Sequence, residues 1–181
     1  GGIGYSSNWA GYVAIKKDST GFPIDNSVSY IKGSWTVPEV DCSSIQNGKT
    51  WIWVGIDGYL PPTIEQIGTA SECIEGNPGY YGWYEFYPKP GYKINDFSVH
   101  PGDNITAEVK YLPKEEKFRL TITNDNTGEK FSVVRKSKNA QRSSAEWIVE
   151  PPKDDLGNIV PLSDFNQVTF RNAEVKIKGK M

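Results

Sequence analysis

The 181-residue chain reads as an all-β domain, a sandwich or a barrel. Three observations lead there. Short runs of alternating apolar and polar residues recur between turn signals. No long apolar stripe of helical period interrupts them. Aromatics make up 13% of the chain and sit among 18 glycines and 12 prolines, the residue types of pleated strands and tight turns.

Residues 6–14 (SSNWAGYVA) are expected as the first strand. Residues 16–29, polar and holding Gly21 and Pro23, are a loop. Residues 30–37 (YIKGSWTV) form a strand ended by Pro38, and 41–49 are a polar loop containing Cys42. The central stretch follows: a strand over 51–57, a Gly-Tyr-Leu-Pro-Pro turn, and a strand over 64–70. Residues 71–79 read as a loop, with Cys73 and the turn residues Asn77, Pro78 and Gly79. Residues 80–87 (YYGWYEFY) are the most aromatic run, stopped by Pro88 and by Pro90-Gly91. Residues 104–111 alternate well. Strands over 117–123 and 130–136 flank Asn124 to Gly128, a hairpin signal. A basic polar loop over 137–144 leads into a short strand, 145–150 (AEWIVE), ended by Pro151-Pro152. A turn-rich loop runs to Leu162, and strands over 168–170 and 174–177 close the chain.

One domain, 1–181, is long enough to bury a core. A formal charge of −2 and a pI near 5.5 give no reason to expect nucleic acid or an anionic membrane as partner. No run approaches the roughly 18 apolar residues of a membrane span, and no signal-peptide core is present. The only methionine is Met181. That is expected of a segment excised from a longer precursor, with the precursor region absent, or of a trimmed fragment.

Cys42 and Cys73 bracket the central stretch. A disulfide is the simplest use, stabilising by roughly 3 kcal/mol and placing the protein in an oxidising compartment. Two buried free thiols are the alternative. The single histidine, His100, lies in Ser-Val-His-Pro-Gly-Asp, a surface-turn signature. Ser-His-Asp and Cys-His chemistry both need a histidine in a cleft. Any chemistry here is therefore expected to rest on carboxylates, amides or tyrosines, and no metal is called for.

Side chains alternate faces along a strand. Ile52, Val54 and Ile56 share one face of the central strand, and Trp53, Gly55 and Asp57 the other. An apolar face opposite a Trp/Gly/Asp face predicts a core behind and a cleft in front. The same parity sets Gln66 opposite Ile67, although Ile64 then shares its side. Trp83 and Glu85 share a face, as do Glu146 and Glu150. Carboxylates flanked by tryptophan on a β face are partly desolvated, which raises their pKa and suits them to acid–base work. Aromatic platforms on a sandwich also make binding faces. Three readings stay open on these grounds: a hydrolase, a non-catalytic module binding glycans or peptides, and a two-carboxylate glycosidase.

SSNWAGYV, SWTVP, WVGIDG, EQIG, WYEFYP, PGD and AEWIVE occur in that order. Together they resemble the G1 family of glutamic peptidases, the eqolisins, of the bacterial or archaeal kind, from Ser6 to about Ala173. The resemblance implies two large antiparallel sheets bent as in legume lectins of the concanavalin A type, with the active site on the concave face. It implies a secreted, acid-acting endopeptidase made as a longer precursor, working on polypeptides without a cofactor; a monomer is the default. It places the catalytic pair at Gln66 and Glu146. Trp9, Trp53, Asp57 and Glu85 match positions that line or support the cleft, and Trp83 joins them by parity. Glu146 would take a proton from water and return it to the leaving nitrogen, a role worth about 10²–10⁴-fold. The neutral Gln66 amide would donate to the oxyanion, worth roughly 3–4 kcal/mol. The sequence departs from the fungal members at Glu65, where an apolar residue is usual, and at Tyr81-Gly82, where an acidic residue and a small one stand. By parity Glu65 points away from Gln66. The chain is also lysine-rich, so an extreme acid optimum is not implied.

Overall fold

The computed structural model describes residues 1–178, so Met181 and the end of the expected 1–181 domain lie outside the described residues. The strands are β1 (Ala10–Ala14), β2 (Val28–Thr36), β3 (Val40–Asp41), β4 (Lys49–Ile56), β5 (Ile64–Ile74), β6 (Asn77–Tyr87), β7 (Tyr92–Lys93), β8 (Asn104–Leu112), β9 (Lys117–Asn124), β10 (Lys130–Arg135), β11 (Ala145–Glu150), β12 (Asp164–Phe165) and β13 (Arg171–Ile177). They form a six-stranded sheet in the order β1-β11-β4-β5-β6-β7 and a five-stranded sheet in the order β10-β9-β8-β2-β13, with a two-stranded β12-β3 ribbon beside them. All pairings are antiparallel. The two large sheets pack face to face, as a sandwich.

The core between them follows the alternation. Ile52, Val54, Ile56, Ile67 and Trp147 enter it from the larger sheet, and Ile31, Trp35, Ile105, Val109, Leu120 and Ile122 from the smaller. Each such aliphatic side chain contributes about 1.5–3 kcal/mol on burial. The two buried indoles tie the sheets together through their N–H groups. Trp35 Nε1 donates to Thr69 Oγ1 at 3.0 Å, and Trp147 Nε1 to the Lys32 carbonyl at 2.9 Å. The opposite face of β4 carries a second aromatic cluster, in which Trp53, Ala70, Trp83 and Ile148 are buried beneath Trp9, Trp51, Ile64 and Tyr81.

Several expectations shift. β1 starts only at Ala10, because Ser6 Oγ accepts the Trp9 backbone N–H at 3.1 Å and diverts it from a ladder. The expected loop over 71–79 is a hairpin. β5 runs on to Ile74, and the turn is Glu75-Gly76, with φ of 49° and 81°. Positive φ at both central residues is the two-residue hairpin geometry. Asn77, Pro78 and Gly79 begin β6, where it has no neighbour beyond β5. A proline is tolerated on such an edge. Residues 168–170 form no strand; Phe170 instead packs edge-on against Trp35, centroids 5.9 Å apart. The two-residue strands β3, β7 and β12 are too short to show a period. Cys42 and Cys73 are joined in a disulfide. His100 is exposed in its turn, its backbone N–H donating to Asp103.

Candidate active site

The register of the larger sheet builds the site. Glu146 pairs with Gly55, Gly55 with Gln66, and Gln66 with Glu85. Directly opposed residues share a face, so these four stand in one row across β11, β4, β5 and β6. At about 4.8 Å per strand, the backbones of Glu146 and Gln66 lie about 10 Å apart, and Gly55 between them brings no side chain of its own. The Trp53 indole lies across that gap. A Cβ on Gly55 would come within 2.7 Å of the ring and 3.1 Å of the Glu65 carbonyl. Two residues further along the strands, a Cβ on Gly68 would meet the Ile52 carbonyl and the Trp53 Cβ, so the indole's base is seated equally closely.

Glu146 is fully buried, 0% exposed. Ser144 Oγ donates to its Oε1 at 2.5 Å, while Oε2 is buried without a partner. Burial above all pushes its carboxyl well above the usual range. The Ser144 hydroxyl opposes that shift, the Asp57 charge adds to it, and the Tyr59 backbone N–H opposes it. Gln66 is 3% exposed. Its Nε2 donates to Glu85 Oε1 at 3.0 Å, and its Oε1 has no partner. Burial raises Glu85 to about 7. One amide hydrogen is held by Glu85, which leaves the other for a further acceptor.

The flanking residues have distinct tasks. Trp53 lines no open surface: it is 0% exposed, with Trp9 edge-on above it at 5.1 Å. Trp53 Nε1 donates to Glu150 Oε1 at 2.8 Å, and Asn8 Nδ2 donates to Glu150 Oε2 at 2.9 Å. Glu150 thus pins both the indole and the segment that carries Trp9. Burial raises Glu150 to about 7, against the Trp53 hydrogen bond. Trp83 is buried against Trp51, centroids 4.2 Å apart. Asp57 ends β4 with φ of 70° and works on the main chain. Its carboxylate accepts the Arg142 and Ser143 backbone N–H groups at 3.0 Å each, and its own N–H donates to the Ser144 carbonyl at 2.9 Å.

The described structure therefore gathers Gln66, Glu146, Glu85, Trp53, Trp9 and Asp57 around one point, with Trp83 in the adjoining wall. Cys42 and Cys73 lie apart, with Val40 in a separate cluster. Sequence reasoning missed Ser144, which it placed in a basic loop, and the pinning by Asn8 and Glu150. A serine two residues before a strand glutamate is a weak signal, since serines fill most loops.

Residues 7–180 match the family model described as the Peptidase A4 family. The chain belongs to that family. It is 31% identical over 198 residues to aspergillopepsin-2 of Aspergillus niger, covering 97% of this chain and 66% of that protein. It is 27% identical over 184 residues to scytalidopepsin B of Scytalidium lignicola, covering 96% and 65%. The chain thus spans just under two thirds of the length of these curated relatives. Among solved structures, scytalido-glutamic peptidase with a peptide-based transition state analog superposes with a TM-score of 0.77 at 26% identity, covering 96% of this chain and 82% of that one. The eqolisin resemblance of the sequence is thereby the family itself, and its sandwich is this fold. Glu65 stands in this A4 domain as a buried residue on the face opposite Gln66, as parity expected.

Proposed function

We propose that the domain is a glutamic endopeptidase, with Gln66 and Glu146 as its catalytic pair and polypeptides as its substrates. The observation that carries this is the cross-strand row. It sets an unpartnered glutamate oxygen and a glutamine amide on either side of a glycine in a buried, tryptophan-walled site. Buried polar atoms rarely go unpaired, and those that do need a reason. Acceptors at Glu146 Oε2 and Gln66 Oε1 suit the two hydrogens of an attacking water.

The ionised Glu146 takes a proton from that water as its oxygen bonds to the scissile carbonyl carbon. The free Gln66 N–H donates to the carbonyl oxygen as it becomes an oxyanion. Glu146 then passes the proton to the amide nitrogen, the C–N bond breaks, and a carboxylic acid and an amine leave. Because burial favours neutral Glu146, the base form is a minority in acid, and Ser144 and the Tyr59 N–H are what sustain it. Activity therefore rises with pH along a limb above the ordinary carboxylate range. It falls where Glu85 ionises, near 7, since a negative charge bonded to Gln66 opposes the oxyanion.

Trp53 and Trp83, 0% and 2% exposed, offer no flat stacking surface, which disfavours the glycan-platform reading. The disulfide suits secretion into an oxidising compartment. The test is digestion of denatured casein across pH 3–7 with pepstatin and EDTA present. Cleavage that Glu146→Gln and Gln66→Ala each abolish, with the fold retained by circular dichroism, is expected. Cleavage surviving in Glu146→Gln would overturn the assignment.

A further inference from the structure

Glu65 is the one fully buried carboxyl that the reaction above does not use. It lies on β5 beside Gln66 but faces the core side, paired with Ile56 and Phe86 in the neighbouring strands. A carboxyl at 0% exposure must be neutral or matched by a cation. No cation faces it. Its polar neighbours are Asp57 at the end of β4, Thr63 from the turn before β5, and Ser137 from the loop after β10. The Arg142 guanidinium is turned away, donating to the Val28 carbonyl and lying over the Tyr111 ring. Beyond Asp57 the next titratable group is Glu146 itself.

Asp57 Oδ1 accepts the Ser143 N–H and Oδ2 the Arg142 N–H, so Asp57 presents acceptors only. Glu65 Oε2 accepts from Ser137 Oγ at 3.0 Å, and Oε1 is buried with no partner, on the strand beside the Ile56–Asp57 backbone. We propose that Glu65 is a positioning residue for Glu146, its carboxylic acid donating to Asp57 and so locking the 142–144 segment whose Ser144 holds the catalytic carboxyl. The contacts on either side of that link are Ser137–Glu65, Asp57–Arg142/Ser143 and Ser144–Glu146. Loss of the Glu65 proton would set two buried carboxylates face to face and free that segment. Burial first, and then the Asp57 charge, keep the proton on Glu65 far above the ordinary range. The device thus holds the site together in acid and releases it in alkali.

The proposal rests on Glu146 being the catalytic base, but half of its test does not. Amide hydrogen exchange at Arg142 and Ser143, corrected for the intrinsic pH dependence, would be followed from pH 5 to 9 in the wild-type chain and in Glu65→Gln. Glutamine keeps a donor for Asp57 and an acceptor for Ser137 but cannot ionise. Protection that collapses with rising pH in the wild type and persists in Glu65→Gln is expected. Equal pH dependence in both would overturn the proposal, whether or not the chain cleaves peptides. For kinetics, Glu65→Leu removes the donor and should lower kcat about tenfold with little change in KM, while Glu65→Gln restores acid kcat. Wild-type kcat in Glu65→Leu, or a kcat in Glu65→Gln as low as in Glu65→Leu, would equally overturn it. Failure of the Glu146 reading shows separately, as activity surviving in Glu146→Gln.

Discussion

Ser144→Ala isolates what one hydroxyl does for a buried base. In the folded protein Ser144 Oγ donates to Glu146 Oε1 at 2.5 Å, and both residues are 0% exposed. A hydrogen bond to a charged group is worth about 1.5–3 kcal/mol, more than one to a neutral group. The bond therefore favours the ionised glutamate over the acid. Its loss makes the base form rarer, by on the order of 10- to 100-fold at 1.4 kcal/mol per decade. The sign is fixed: the donor lowers the glutamate's pKa, so its removal raises it. On the acid side of the profile kcat/KM should fall by that factor, and the ascending limb should move to higher pH. Near the optimum the deficit should shrink. The assay is a pH–rate profile on a quenched fluorescent peptide, wild type beside Ser144→Ala, with a urea melt confirming the fold. An acid limb that stays in place with activity within twofold would refute Glu146 as a base tuned by Ser144. A uniform loss at every pH would mean that Ser144 only shapes the site.

Gly55→Ala would press a methyl to 2.7 Å from the Trp53 ring and 3.1 Å from a backbone carbonyl, so activity should drop sharply and the urea midpoint should fall by the equivalent of about 1–3 kcal/mol. Reducing the Cys42–Cys73 disulfide, whose cysteines are 31 positions apart, should cost about 3–4 kcal/mol of stability, read as a lower Tm with and without reductant. Glu85 and Glu150 have folded pKa values raised to about 7 from 4.5. The stability linked to them is complete below the unfolded value and is lost as pH rises through about 7. Urea midpoints should therefore fall from pH 4.5 to 8, and Glu150→Gln should flatten that fall.

Much of the site was legible along single strands. Ile52-Trp53-Val54-Gly55-Ile56 and AEWIVE show a period of two, which a local rule assigns to two faces, and both faces came out as read. Motif order carried the family, and through it the pair Gln66 and Glu146. Parity also turned Glu65 to the back of the sheet. Other features depend on distant partners. Alternation says which face a residue takes but not which residue stands opposite. Only the pairing of β11 with β4, and of β4 with β5 and β6, sets Glu146, Gly55, Gln66 and Glu85 in one row across some ninety residues of chain. The same holds for charge. Desolvation is a property of what covers a group, so the raised carboxyls arise where Trp9, Trp53 and the 142–144 segment close over them. Composition and strand periodicity therefore determined an all-β domain, and sequence pattern determined the faces and the candidate residues. Tertiary pairing decided their register, the Ser144 and Asp57 contacts, and the protonation that the chemistry must work from, because these depend on neighbours the chain reaches only by folding.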